Sequence, residues 1–169
     1  MAMPGRIAPA RLAVSLFLAA ALLAGCGFHL RGDVEYPPGM AVTYIDASDR
    51  YTPFYRKLQK ALRDGGVRVT TSATDAGAVV RILEDNPGEH VLSVSARNTP
   101  REIDVYYSVR VALEIAGTEK LPAQQLVLTR DYNYDETLVL GKSAEGELIR
   151  DALADDLVGV VTRRLSTVR

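Results

Sequence analysis

Between Ile103 and Ile115 the chain alternates without a break. Ile103, Val105, Tyr107, Val109, Val111, Leu113 and Ile115 fall on one face, and Asp104, Tyr106, Ser108, Arg110 and Glu114 on the other. Successive side chains of a strand point to opposite sides, so this run predicts one long β-strand with a core face and a face that is wet or covered by a partner. A strand of this kind needs neighbours in a sheet and a second layer over its apolar face. Neighbours are at hand. Met40–Asp46 mixes Val42, Tyr44 and Ile45, while Val67–Thr70 and Ala78–Leu83 are brief β-type runs. Asn86-Pro87-Gly88 reads as a turn, His90–Arg97 alternates, and Asn98-Thr99-Pro100 breaks it. After the long strand, Gly117 to Pro122 is expected to turn the chain into Gln125–Tyr134, which sets Leu126, Leu128, Tyr132 and Tyr134 on one face.

The second layer comes from two helical segments. Thr52-Pro53 offers a capping hydroxyl followed by a proline at the first helical position, and Phe54, Leu58, Ala61 and Leu62 recur at helical spacing until Gly65-Gly66. Near the C-terminus, Ser143 is positioned to cap a helix whose apolar residues run Ile149, Ala152, Leu153, Leu157, Val160, Val161 and Leu165. Asp156 and Arg164 fall inside that apolar arc, so its edges are either polar or meet a partner. One apolar stripe per helix and one apolar face per strand predict a two-layer α+β domain. Two helices would pack on one face of a mixed, mostly antiparallel sheet of four strands or slightly more.

The first 25 residues differ from the rest. They carry Arg6 and Arg11, no acid, and an uncharged run of twelve residues from Leu12 to Leu23. A basic start, a short apolar run and small residues before a cut are the layout of a secretory signal peptide. Twelve residues are too few to span a bilayer core, which needs about 20. Leu23-Ala24-Gly25-Cys26 resembles a bacterial lipobox, and that resemblance implies cleavage before Cys26 and acylation of its sulfur. The expected organisation is a signal peptide at 1–25, a lipidated Cys26 with a short tether at 26–39, and one globular domain at 40–169. Two or more acyl chains give stable membrane anchoring. Gly27, rather than Asp, after the lipidated cysteine implies sorting to the outer membrane. A lone cysteine makes no internal disulfide, and a domain of about 150 residues does not need one.

Little in the chain supports catalysis. Its two histidines, His29 and His90, have no metal-ligand spacing, and no nucleophile elbow, phosphate loop or dinucleotide fingerprint is present. The reading is therefore of a non-enzyme with no cofactor beyond the lipid on Cys26 and no metal site. Removing the two leader arginines from 20 basic groups leaves 18 against 21 acidic ones, a mature charge of −3. That balance gives no general attraction to nucleic acid, so anion binding has to be local. Arg97 and Arg101 bracket the break at Asn98-Thr99-Pro100, and Lys142 stands near the expected start of the last helix, where unpaired N–H groups favour anions. The plain alternative is three solvated loop charges. Tyr132 and Tyr134 are read either as part of a partner surface or as half-buried strand tyrosines.

The string from Leu22 to Gly32, in which Cys26 runs directly into Gly27-Phe28-His29-Leu30-Arg31-Gly32, resembles the start of the lipopolysaccharide-assembly lipoprotein family, LptE. The likeness continues through Arg97-Asn98 and Leu140-Gly141-Lys142. It implies a two-helix, four-stranded fold that plugs the lumen of a large outer-membrane β-barrel, LptD, in a 1:1 complex. Such a protein sits on the periplasmic side of the outer membrane, assists barrel assembly, and helps deliver lipopolysaccharide to the outer leaflet, without catalysis. Matched residue by residue, the family's lipopolysaccharide-contacting positions fall on Arg97 and Lys142, and Arg101 is a second arginine able to share the role of Arg97. The competing expectation is an auxiliary lipoprotein of an ABC-type lipid transporter.

Overall fold

The computed structural model describes residues 34–168. The expected signal peptide, Cys26, the first part of the tether and Arg169 lie outside the described residues. Five strands, β1 (Val42–Ala47), β2 (Arg68–Thr70), β3 (Ala78–Val94), β4 (Pro100–Ile115) and β5 (Thr118–Asn133), form one sheet in the order β2-β1-β3-β4-β5. β1 is parallel to β2 and β3, whereas β3, β4 and β5 form an antiparallel meander. Helices α1 (Pro53–Asp64) and α2 (Val139–Ser166) supply the second layer. The expected α+β sandwich is thus present, with one strand more than four.

The long alternating run is β4, and its expected core residues from Ile103 to Leu113 are all buried. Against them lie Phe54, Tyr55, Leu58 and Leu62 of α1 and Leu153, Ala154, Leu157, Val158, Val161 and Leu165 of α2, in one continuous core. α1 starts and stops as its residues dictate. The Thr52 hydroxyl accepts from the Tyr55 N–H at 3.1 Å, and Pro53 opens the first turn. At the other end Gly66 takes φ +82°, letting the Val67 and Gly66 N–H groups reach back to the Leu62 and Arg63 carbonyls.

Three expectations need correcting. Asn86-Pro87-Gly88 is not a turn, because β3 runs straight through it. β1 ends at Ala47 opposite Ile82, so beyond that point one edge of β3 has no strand beside it, and a proline there removes no ladder hydrogen bond. A register shift between Ile82 and Glu84 also changes the phase of the strand. Ala78, Val80 and Ile82 point into the core before the shift, whereas Asp85 and Pro87, opposite Val109 and Tyr107, take that face after it. The turn expected from Gly117 to Pro122 shrinks to Ala116-Gly117, both at positive φ (51° and 75°), and pairing resumes at Thr118. β5 is an edge strand with two register shifts, and Pro122 falls among them. Ser143, finally, does not cap α2. The helix begins four residues earlier, at Val139, and no side chain caps it at Leu138.

The phase change in β3 places a carboxylate where helix and sheet meet. Tyr107, fully buried, donates its hydroxyl hydrogen to Asp85 at 2.7 Å and accepts from the Phe54 N–H at 3.3 Å. Thr52 donates to the other Asp85 oxygen. Four residues thereby pin the start of α1 to the middle of the sheet. The opposite face of the sheet carries polar rows, among them Glu84, Ser108 and Gln125, linked at 3.0 and 3.1 Å.

Candidate functional site

The hairpin joining β3 to β4 has a three-residue tip. Ser95 N–H donates to the Thr99 carbonyl at 2.7 Å and Asn98 N–H to the Ser95 carbonyl at 2.9 Å, leaving Ala96-Arg97-Asn98 as the loop. Asn98 sits at φ 61°, a conformation that asparagine adopts more readily than most residues. The Ser95 hydroxyl oxygen accepts from the Arg97 and Thr99 N–H groups, each at 3.2 Å, and lies 2.6 Å from the Thr99 hydroxyl. This network holds an exposed Arg97 at the apex, with exposed Arg101 just inside β4.

The chain after β5 returns to the same place. Tyr134 donates its N–H to the Arg101 carbonyl at 2.8 Å. Asp135 then accepts from both the N–H and the hydroxyl of Thr137 at 2.9 and 2.7 Å, closing the turn into α2. Those hydrogen bonds, with the positive charge of Lys142 adding to them, hold the Asp135 carboxyl below the usual carboxylate range. Lys142 lies in the first turn of α2. Its ammonium is 5.7 Å from the centre of the Tyr132 ring and 2.7 Å from Glu145. Gly146 faces the same ring, and a Cβ there would stand in ordinary contact with it, 3.4 Å from the Tyr132 hydroxyl.

The result is an open cleft of about 500 Å³ whose walls include Arg97, Arg101 and Lys142 together with Ser95, Thr99, Tyr134, Asp135 and Leu138. The three basic residues marked in the sequence are therefore brought to one site, 45 residues apart in the chain at the extremes. Three cations against one lining carboxylate leave the cleft positive, although the domain as a whole is acidic. Chemically it suits an anion with several oxygens, because arginine presents a planar fork and lysine a point charge. Of the two tyrosines in question, Tyr134 lines the cleft, whereas Tyr132 is buried beneath Lys142.

Ser95, Thr99 and Leu138 were not legible as site residues. The serine and threonine signal only a turn, and Leu138 shows its place only once the helix start is known. His90 stacks on Tyr106 with ring centres 4.6 Å apart on the polar sheet face. Gly88 leaves space for that tyrosine, as a Cβ would fall 2.2 Å from the Tyr106 hydroxyl. Among the described residues, no group of three or more His, Cys, Asp or Glu is arranged to hold a metal ion. No helix among them is long and apolar enough to cross a membrane.

Residues 40–165 match the family model LptE, described as lipopolysaccharide-assembly. The chain belongs to the LptE family. Curated relatives include the LPS-assembly lipoprotein LptE of Pectobacterium atrosepticum, 26% identical over 154 residues that cover 90% of this chain and 83% of that protein. The protein of the same name from Yersinia pestis is 27% identical over 158 residues, covering 93% and 76%. Among solved structures, lipoprotein B of Nitrosomonas europaea superposes with a TM-score of 0.69 at 26% identity, covering 83% of this chain and 90% of that one. The rare lipoprotein B of Shewanella oneidensis shares the fold, with a TM-score of 0.65 at 24% identity over 75% and 94%. The expected family and its two-layer fold are thereby established for this member.

Proposed function

We propose that this LptE-family lipoprotein is anchored on the periplasmic side of the outer membrane through acyl chains on Cys26, freed by cleavage after residue 25. There it plugs an LptD-type β-barrel in a 1:1 complex, assists barrel assembly, and helps pass lipopolysaccharide toward the outer leaflet. It needs no cofactor and catalyses no reaction. The observation that carries the lipopolysaccharide part is the convergence of Arg97, Arg101 and Lys142 on one concave site. Phosphates of a glycolipid head are multi-oxygen anions of the kind such a site suits. Membership of a family described as lipopolysaccharide-assembly, and relatives named LPS-assembly lipoproteins, support a role in lipopolysaccharide assembly for a lipid-anchored protein.

The test has two arms. Mild detergent extraction of the native lipoprotein is expected to recover a large outer-membrane barrel in equal amount, and recovery of an inner-membrane ATPase instead would favour the transporter reading. Replacing Arg97, Arg101 and Lys142 together by glutamine is expected to lower lipopolysaccharide binding at least tenfold while leaving the barrel attached. Unchanged lipopolysaccharide binding would remove the cleft from the proposal.

A further inference from the structure

β3 has an edge that its own sheet leaves open. β1 stops at Ala47, opposite Ile82, and the Thr52 hydroxyl takes up the Asp85 carboxylate just beyond it. From Asn86 to Val94, among the described residues, no strand pairs with β3 on the side away from β4, and no loop backbone bonds to it there. A proline inside a paired strand turns its nitrogen away from the neighbouring strand. Pro87 therefore sets the phase of the edge. Pro87, Glu89 and Val91 direct their backbone groups outward, the first with a carbonyl alone and the other two with both N–H and carbonyl. Their side chains, opposite Tyr107, Val105 and Ile103, stand on the helix side of the sheet. On that side the edge borders a groove of about 1180 Å³, with Tyr107 at its base and Pro53, Pro87, Ala144 and Leu148 among its walls. Leu148 is 72% exposed, and Val91, 54% exposed, continues the apolar surface along the edge. Most of the charged walls are answered within the domain. Arg150 pairs with Glu89 at 2.8 Å and with Glu147, and Asp151 pairs with Lys57 at 3.0 Å. Arg56 is the lining charge that has no ion pair among the described residues. The groove shares no wall residue with the cationic cleft.

A row of outward N–H and C=O groups is complemented by another extended backbone, and a groove beside the row takes the alternate side chains of that added strand. We infer that the open edge of β3 binds an extended segment of a second protein as an added antiparallel strand. Its backbone pairs with Glu89 and Val91, its apolar side chains enter the groove beside Leu148, and an acidic side chain meets Arg56. An alkyl chain would fill the groove but leave the backbone edge and Arg56 unmatched. Pairing with a second copy of the same edge is opposed by Pro87, which has no donor to give, and by Glu89, which would be brought close to its own counterpart. The inference does not depend on the anion-binding reading of the cleft, which lies on other residues.

The test uses the full chain carrying Cys26→Ala, prepared free of other proteins, and a synthetic peptide that alternates threonine with valine, leucine and glutamate. Such a strand carries two apolar side chains and one carboxylate on a single face. Binding is read by calorimetry, and its place by amide hydrogen exchange. The peptide is expected to bind and to slow exchange at the Glu89 and Val91 amides. The same peptide N-methylated at valine, leucine and glutamate cannot donate to the edge and is expected not to bind. Leu148→Ser is expected to weaken the peptide about tenfold, and Arg56→Gln to weaken it about tenfold while leaving a glutamine-for-glutamate peptide unaffected. Both side chains are exposed, so each variant should keep the melting temperature of the parent. No peptide binding, binding that survives N-methylation, or binding indifferent to both substitutions would overturn the inference. Octyl glucoside held in the groove in place of the peptide would overturn it in favour of an alkyl ligand. A dimer in sedimentation that protects the same two amides would overturn it in favour of self-pairing.

Discussion

Tyr107→Phe removes one oxygen from the interior, and the structure allows the cost to be worked out. That oxygen donates to Asp85 and accepts from the Phe54 N–H, one of the unpaired donors at the start of α1. Without it, a buried N–H has no partner, at about 1–3 kcal/mol, and a hydrogen bond to a carboxylate is lost, worth about 1.5–3 kcal/mol. The penalties overlap because the ring stays packed and Asp85 keeps Thr52, so a total of about 2–4 kcal/mol is expected. The chain has no tryptophan, so urea unfolding is best followed by far-ultraviolet circular dichroism. Tyr106→Phe is the control, since Tyr106 lies on the opposite, polar face of the same strand. A pH dependence sharpens the test. Burial first, and then Asp85, raises the folded pKa of Tyr107 above its unfolded value. The associated stability is therefore fully present below pH ~10 and is lost as pH rises through the folded value. The phenylalanine variant should lack that part of the alkaline loss. A cost below about 1 kcal/mol, or one equal to that of Tyr106→Phe, would refute the pinning role assigned to this network.

Other outcomes follow from single features. Ala116 holds a left-handed conformation beside Gly117, so Ala116→Asn, which suits a two-residue hairpin turn, should raise stability by about 0.5–1 kcal/mol in the same unfolding assay. Leu157, fully buried between helix and sheet, should cost about 2–5 kcal/mol when changed to alanine, measured by the urea midpoint. Thr137→Ala removes the side-chain hydrogen bond, one of the two that depress Asp135, and its carboxyl should then titrate at higher pH by NMR. Because the folded pKa of Asp135 is depressed, its stabilising contribution is present above the unfolded value and fades as pH falls.

The parts of the fold legible in the sequence are those in which local pattern and tertiary demand agree. β4 is buried on one face along its length, so its alternation survives intact. α1 has its cap, its proline and its glycine stop within a single short segment, and all three act as written. What was hidden depends on neighbours. Asn86-Pro87-Gly88 has every local mark of a turn, and only the early end of β1 leaves β3 an open edge on which Pro87 is tolerated. Ser143 looks like a cap because it precedes the clear apolar stripe, yet the helix already begins at Val139, and its first turn places Lys142 over the Tyr132 ring.

These two misreadings bear on the same site. Were Asn86-Pro87-Gly88 a turn, β3 would reverse halfway and could not pair with β4 up to Val94 and Pro100, and Arg97 would stand at the end of a different, shorter hairpin. Continuity of β3 carries Arg97 out to the far end of the sheet. Likewise, a helix beginning at Ser143 would leave Lys142 on a free loop, whereas a start at Val139 fixes it one turn into α2, above Tyr132 and facing the cleft. The three basic residues are each ordinary in sequence. Their convergence is produced by the length of one strand and the early start of one helix, neither of which is encoded near the residues themselves. Shortening the hairpin by deleting the cross-strand pair Ser93 and Glu102, joined at 2.8 Å, should therefore weaken anion binding even though no cation is removed. If calorimetry found phosphate bound as tightly after that deletion, the length of β3 would not be what assembles the site.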